Sequence, residues 1–379
     1  LTAAAPEGEC MREEPRAETV GSLLRSPEVV SAVRAGGSDP EAEKVLDEAV
    51  VEAVRLQENA GLDVITDGEV RRIAWAQTTR FLDCFEATPG RGVLNWRGGS
   101  VAASATAPAA GGGYPAVVRR VAGAQRTGDM AAEYAFLARH AKARTKFTMA
   151  APSYHRRYWS PEHSSAAYKD CEEFLTDIRD YQREVVQELV ALGCDYVQLD
   201  APNYGSLCDP DTRARMVAEG RDPEAETLFD AELDSSLLAG FGGVTSALHI
   251  CRGNGPGGAW HSAGGYGAIS GTLFPRLSFD RLLLEYDSDR AGGFEPLTDV
   301  RHGTVVVLGL LTTKSDELEN AVDVEARIAE AAQLKPLPEL AVSTQCGFAS
   351  VPAGNPVSTG GQQAKLELVA RIARSIWPR

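Results

Sequence analysis

Val244-Thr245-Ser246-Ala247-Leu248-His249-Ile250-Cys251-Arg252-Gly253-Asn254 is the stretch that decides the fold. Its first half reads as a short strand. Its end carries His249 and Cys251, two residues apart. On a strand, residues i and i+2 share a face, so both side chains aim at one point. An imidazole beside a thiolate is zinc chemistry. Two later segments have the same form. Leu282-Leu283-Leu284 leads into Glu285, and Val342-Ser343-Thr344-Gln345 leads into Cys346. Taken singly, each has an ordinary reading: strand-end packing for His-x-Cys, a solvated carboxylate for Glu285, a small buried hydrophobe for Cys346. Taken together, His249, Cys251, Glu285 and Cys346 make one four-ligand set at three strand ends.

Outward from this stretch the chain alternates strand and helix. Strands fall near positions 19, 64, 147, 197, 247, 283, 307 and 342. Asp39-Pro40 opens a helix whose Leu46, Ala49, Val50, Ala53 and Leu56 keep helical spacing up to Gly61. A second carries Phe174, Ile178, Tyr181, Val185 and Leu189. Others run from Glu224 to Leu238, through Leu318, Ala321, Val322, Ile328 and Ala331, and from Gln362 to Ile376. Eight strands with intervening helices predict an α/β protein of the (β/α)8 TIM-barrel type. An open, doubly wound sheet is the runner-up. No Gly-x-Gly-x-x-Gly follows the first strand, so dinucleotide binding has no support. A long irregular stretch separates the second and third strands and reads as an insertion. Its centre, Gly98 to Gly113, is rich in Ala, Gly and Ser, and a helical piece spans Ala131 to His140. Residues 1–16 read as a disordered tail, and residues 17–379 as a single catalytic barrel.

Bulk composition narrows the partners. Of 379 residues, 44% are hydrophobic, enough for one large barrel. A formal net charge of −15 argues against nucleic acid and anionic membranes. Seven Cys at irregular spacing, with no Cys-x-x-Cys pair, do not make a disulfide framework and fit the reducing cytoplasm. No apolar run approaches the roughly 20 residues of a membrane span.

Barrel chemistry sits at the C-terminal ends of the strands. In order, those ends carry Gly21 and Ser22; Asp67 and Glu69; Ser153 and Tyr154; Asp200 with Asn203; His249 and Cys251; Glu285; Thr312 to Lys314; and Cys346. Asp67 and Glu69 read either as substrate contacts or as a helix cap and partners of Arg71 and Arg72. Ser22 reads as a substrate contact or as turn chemistry. Asp200 ends an apolar strand before a proline, and a carboxylate buried there needs a reason. Tyr154, in Tyr154-His155-Arg156-Arg157-Tyr158-Trp159, suits an anionic or aromatic substrate or a packed loop. Lys314 serves as an acid only if burial lowers its pKa. Cys84, Cys171, Cys194 and Cys208 have no ligand-spaced neighbours and read as packing.

Six motifs carry a family resemblance: Thr19-Val-Gly-Ser-Leu-Leu-Arg25, Gln57 to Glu69, Val197-Gln-Leu-Asp200, His249-Ile-Cys-Arg-Gly-Asn254, Leu284-Glu-Tyr-Asp287 and Thr344-Gln-Cys-Gly-Phe348. Over residues 17–377 the chain resembles the C-terminal catalytic barrel of cobalamin-independent methionine synthase, and above all its shorter single-barrel relatives. Epoxyalkane:coenzyme M transferase belongs to the same superfamily. The resemblance implies a Zn2+ held by His249, Cys251, Glu285 and Cys346. It further implies that Gly21, Ser22, Glu69 and Asp200 hold the amino and carboxyl groups of a thiol such as homocysteine, which becomes the acceptor in methyl or alkyl transfer. Two positions depart from the family. Its Asp-Glu-Pro-Ala is Asp200-Ala201-Pro202-Asn203 here, and Thr312-Thr313-Lys314 stands where the synthase has a proton-delivering His. The expected partners are therefore a small-molecule thiol and an activated methyl or alkyl donor, such as one carried by a corrinoid protein. The alternatives are a zinc Lewis-acid enzyme, lyase- or hydrolase-like, and a barrel that binds without catalysis. The last is disfavoured because nothing in the fold needs a metal.

Overall fold

In the computed structural model, residues 14–36, 39–76, 82–88, 96–99, 114–121 and 127–378 are described. Of the tail expected over residues 1–16, residues 1–13 lie outside them, as do residues 100–113 of the expected insertion centre, Gly98 to Gly113. The main sheet is built from β1 (Ala17–Glu18), β2 (Val64–Ile65), β5 (Arg144–Thr145), β6 (Phe147–Ala150), β7 (Tyr196–Asp200), β8 (Thr245–Ile250), β9 (Arg281–Glu285), β10 (Val305–Leu311) and β11 (Leu340–Thr344). Two short strands between β2 and β5, β3 (Phe85–Glu86) and β4 (Ala116–Val117), pair antiparallel with each other.

The nine main strands are parallel, in the order β5-β2-β1-β11-β10-β9-β8-β7-β6. Lys146 alone separates β5 from β6. The two are halves of one strand, so both edges of the row belong to the same chain segment and the sheet nearly closes into a barrel. The eight expected strands are all present, the third one split at Lys146.

The Lys146 amide still bonds the Ile65 carbonyl at 2.9 Å, and the split marks where the strand changes partner, from β2 to β7. Lys146 is buried, and its Nζ donates to Glu18 Oε2 at 2.6 Å and to the Thr19 carbonyl at 2.5 Å. Arg281 Nη2 donates to Glu18 Oε1 at 2.8 Å, and Tyr196 Oη reaches Glu18 Oε2 at 3.0 Å. Burial opposes the Glu18 charge, but Lys146 and Arg281 overcome it and hold the carboxyl at about 2. Strands β1, β7 and β9 thus meet the β5/β6 strand at one carboxylate. Packed with this cluster inside the barrel are Val20, Val64, Ala247, Leu283, Val305, Val307 and Ala341, the apolar filling that makes such a barrel a packed core. The larger core, between strands and helices, includes Phe174, Ile178, Val185, Leu248, Leu282, Leu284 and Val342.

The helices follow their local signals. Asp39 caps Pro40–Ala60 by accepting from the Glu41 amide, and Gly61 ends it at φ 83°, a left-handed conformation that suits glycine. Cys171–Ala191, Pro223–Leu238 and Thr359–Ile376 form where apolar periodicity places them. The helix expected through Leu318 starts later, at Ala321, because the Asn320 side chain caps the Val322 amide at 2.9 Å. Leu318 stays half-exposed outside it. The ordered chain also begins before Ala17. Arg16 donates to the Leu340 carbonyl at 2.7 Å, and its amide binds Asp63 Oδ2 at 2.7 Å.

Removing one partner of a buried ion cluster strands the remaining charge, at a cost of roughly 3–5 kcal/mol. Lys146→Met is expected to lose stability on that scale in urea unfolding. A loss below about 1 kcal/mol would show that Arg281 alone satisfies Glu18.

Candidate metal centre

The alternation of each strand sets the donors. In β7 the inward positions are Tyr196, Gln198 and Asp200; in β8 and just past it, Ala247, His249 and Cys251; in β9, Arg281, Leu283 and Glu285. The last inward position of each points to the C-terminal rim. Past β11, Cys346 reaches the same point. One ligand atom from each of His249, Cys251, Glu285 and Cys346 lies within 4.8 Å of all the others. The two sulfurs are 3.7 Å apart. His249 Nδ1 faces the Leu283 carbonyl at 3.2 Å, which leaves Nε2 for the cluster. Both His249 Nε2 and Glu285 Oε2 are buried without a hydrogen-bond partner. Two orphaned buried polar atoms beside two thiols are the signature of a missing common partner, and the donor set is one that zinc prefers. The residues fit a metal ion.

The protonation of the bare cluster agrees. Burial pushes the Glu285 carboxyl up to about 7, with Cys346 adding to the rise. Burial works against a charged imidazole at His249, yet Cys346 and Asp200 raise it to about 9. A cation bound here would displace protons.

A hydrogen-bond network joins the loops that carry the two Cys. Asn254 Nδ2 donates to the Gly347 carbonyl at 2.7 Å and to Ser350 Oγ at 2.9 Å. Asn254 Oδ1 accepts from Lys314 Nζ and from Asn355 Nδ2, both at 2.9 Å. Thr313 Oγ1 donates to Gln345 Oε1 at 2.7 Å. Gly205 packs against the Cys251 carbonyl, where any Cβ would overlap it.

The other expected residues fall into two groups. Glu69 and Asp200 are buried beside the cluster. Glu69 Oε1 accepts from Thr148 Oγ1 at 2.7 Å, with Arg72 at 3.7 Å, and its Oε2 is buried without a partner. Glu69 also holds φ 52°, a strained backbone for a non-glycine residue. Burial lifts its carboxyl above the usual range. Burial pushes Asp200 up to about 7 while His249 pulls it down, and its Oδ1 accepts from Gln198 Nε2 at 2.8 Å. Gly21 faces Glu69 so closely that a Cβ would overlap Oε1, and Ser22 Oγ stands against Gly347, next to Cys346. Lys314 Nζ also bonds the Gly253 carbonyl at 3.1 Å.

The second group holds the rim together. Asp67 Oδ1 accepts from the Glu69 amide at 2.9 Å. Tyr154 stacks edge-on with Trp75 at 4.6 Å, under the Arg157 guanidinium at 3.8 Å. Asn203 Nδ2 donates to Ser153 Oγ at 3.0 Å, while its Oδ1 is buried and without a partner. Sequence reading missed the group behind these, Asp234, on the helix Pro223–Leu238. Asp234 accepts from the Ser153 amide at 2.9 Å, from Ser153 Oγ at 2.6 Å and from Tyr204 Oη at 2.6 Å. Nothing in a helical heptad flags an inward Asp as a strut for a distant turn. Asn254 was visible only as part of its motif.

Burial pushes the Asp234 carboxyl up to about 7 against these hydrogen bonds, from about 3.9 in an unfolded chain. A raised folded-state value means the stabilising contribution is full below about pH 4 and is lost as pH rises through about 7. Asp234→Asn removes that dependence. The stability of the variant relative to the parent protein is therefore expected to rise between about pH 4 and pH 7.5 in urea unfolding. A flat difference would show that Asp234 stays ionised throughout.

The fold and this rim define an α/β-barrel protein with a thiol-rich candidate metal centre. The chain belongs to the family of the cobalamin-independent synthase catalytic domain, which it matches over residues 19–359. It is thus methionine synthase-like, as its motifs suggest. It is 34% identical to the uncharacterised Bacillus subtilis protein YxjH over 388 aligned residues, covering 99% of this chain and 98% of YxjH. YxjG from the same organism is 33% identical, covering 99% of each chain. Among solved structures, a protein from Listeria monocytogenes described as a vitamin-B12-independent methionine synthase superposes with a TM-score of 0.70 at 26% identity. That match covers 96% of this chain and 98% of the other. A B12-independent methionine synthase from Shewanella sp. W3-18-1, solved with selenomethionine, shares the fold at a TM-score of 0.69 and 19% identity, over 95% and 97% of the two chains.

Proposed function

We propose that this chain is a zinc-dependent transferase that activates a homocysteine-like thiol for methyl or alkyl transfer. The observation that carries the proposal is the convergence of His249, Cys251, Glu285 and Cys346 within 4.8 Å, with His249 Nε2 and Glu285 Oε2 buried without a hydrogen-bond partner, Arg290 Nη2 standing 3.9 Å from the latter. Family membership supports methyl transfer to a thiol. A bound zinc would turn a thiol of pKa near 8.5 into a thiolate at neutral pH. Its donors would be those four side chains.

The neighbouring residues supply recognition. Glu69 and Asp200 are two buried carboxylates beside the cluster, and Glu69 Oε2 is open. They suit the ammonium group of an amino-acid thiol, held by charge-assisted hydrogen bonds. Gly21 keeps space in front of Glu69, and Ser22 and Asn203 offer polar contacts past the ends of β1 and β7. Asp67 acts behind Glu69, and Tyr154 with Trp75 walls the rim.

Lys314 bears on the donor. Its ammonium is engaged by the Gly253 carbonyl and Asn254 Oδ1, and Ala201 replaces the family's Glu. A folate amine leaves only with a proton; Ala201 has none to give, and the Lys314 ammonium is held in those two hydrogen bonds. We therefore propose a donor whose leaving group needs no proton, a methylated corrinoid on a partner protein. Six free cysteines among the described residues suit a reducing compartment, which we propose to be the cytoplasm. A single catalytic barrel, to which Pro15 and Arg16 are already bonded, is the domain arrangement we propose.

Protein purified without added metal is expected to contain about one zinc per chain. Cys251→Ser and Cys346→Ser should each lose most of it by elemental analysis. Metal content indifferent to both substitutions would sink the site.

Side-by-side assays with homocysteine should give methionine from methylcobalamin faster than from methyltetrahydrofolate. Brisk methionine formation from the folate donor alone would refute the reading of Ala201 and Lys314. Failure with every thiol acceptor, in zinc-loaded protein, would favour a Lewis-acid lyase or hydrolase.

A further inference from the structure

The loop between β8 and β9 sends one side chain back beneath the rim. Tyr266 is fully buried. Its hydroxyl accepts from the Glu285 amide at 2.9 Å and faces the Ile250 carbonyl at 3.3 Å, to which it can donate. Ile250 stands between His249 and Cys251. A single oxygen therefore ties the strand end carrying two donors to the strand end carrying a third.

The ring is held in place from several sides. The buried Arg252, next to Cys251 in sequence, lies over it at 4.2 Å and donates to the Gly264 carbonyl. Tyr286, next to Glu285, packs edge-on at 5.4 Å, and Phe274 lies at 6.0 Å. Gly264, at φ 98°, allows the loop to pass the Cys208 carbonyl, where a Cβ would overlap. Each contact locks the hydroxyl against β8 and β9 rather than toward the rim opening. A tyrosine that merely filled the core would not need its oxygen between these two main-chain groups.

We propose that Tyr266 is a positioning residue for the metal centre, setting the separation of Glu285 from His249 and Cys251 through its hydroxyl. This rests on the metal reading of the four side chains. Groups that orient metal ligands from behind typically contribute ten- to a hundredfold in metal affinity. Phe274 is the internal control, since it packs against the same ring while its carbonyl bonds the Leu277 amide rather than either strand end.

The test is zinc affinity by competition with a chromophoric chelator on full-length protein, for the parent chain, Tyr266→Phe and Phe274→Leu. The visible spectra of the cobalt-substituted forms are compared alongside. Tyr266→Phe is expected to bind zinc roughly ten- to a hundredfold more weakly and to shift the cobalt bands. Phe274→Leu should lower the melting temperature of the metal-free protein while leaving zinc affinity and cobalt bands in place. Equal zinc affinity in the parent and Tyr266→Phe overturns the role of Tyr266. Equal weakening by both substitutions overturns it as well, since loosened packing then suffices. A parent protein that binds no zinc overturns the metal reading itself, a separate result. Should Tyr266→Phe not fold, 3-fluorotyrosine installed at position 266, which alters the hydroxyl's hydrogen bonds while leaving the ring packing in place, is expected to change zinc affinity and shift the cobalt bands. Unchanged affinity and bands there overturn the proposal.

Discussion

Everything in this molecule depends on one carboxylate at the centre of the barrel. Glu18 gathers Lys146, Arg281 and Tyr196, and so fixes β1 against β7, β9 and the divided strand that completes the ring. An ionised group buried this deeply is tolerable only with its charges matched. That requirement makes the cluster specific. A slip of one residue in any of these strands would turn its charged member outward into the apolar layer beneath the helices. The inward and outward positions of the main strands are thereby set, and with them which side chains arrive at the rim.

The rim inherits that order. Arg281 and Glu285 lie on the same face of β9 with Leu283 between them, as Tyr196, Gln198 and Asp200 do on β7. One end of each strand is anchored in the ion cluster and the other presents a group for chemistry. Stability and reactivity are divided along the same few residues. This explains how a site with buried carboxylates lifted toward neutrality, Asp200 and Glu285 at about 7, can persist. The destabilising burial at the rim is set against a satisfied cluster one layer below.

This division also marks what was legible in the sequence. The four donors could be read because each ends an apolar run, and period-two alternation is local information. The same holds for the helix between Asp39 and Gly61, with its cap, periodicity and stop. Contacts made across the fold left no such trace. Asn254, Asn355 and Gln345 cooperate from distant loops, and Asp234 supports Ser153 from a helix that follows β7, 81 residues on. The late start of the helix at Ala321 was missed because apolar spacing outweighed the Asn320 cap. The change of partner at Lys146, from β2 to β7, is set by strands distant in sequence and leaves no mark in the local run of residues.

The spread of the donors along the chain has a consequence for how the protein is made. His249 and Cys251 emerge first, and Cys346 follows Cys251 by 95 residues. Synthesis therefore carries an incomplete thiol cluster through the whole of β9, β10 and β11. On the proposed zinc reading, a ribosome-bound chain would not hold the ion in its final geometry until that stretch had been translated and had folded. Metal capture would then be a finishing step, one that the cell could supply or withhold after the barrel already stands.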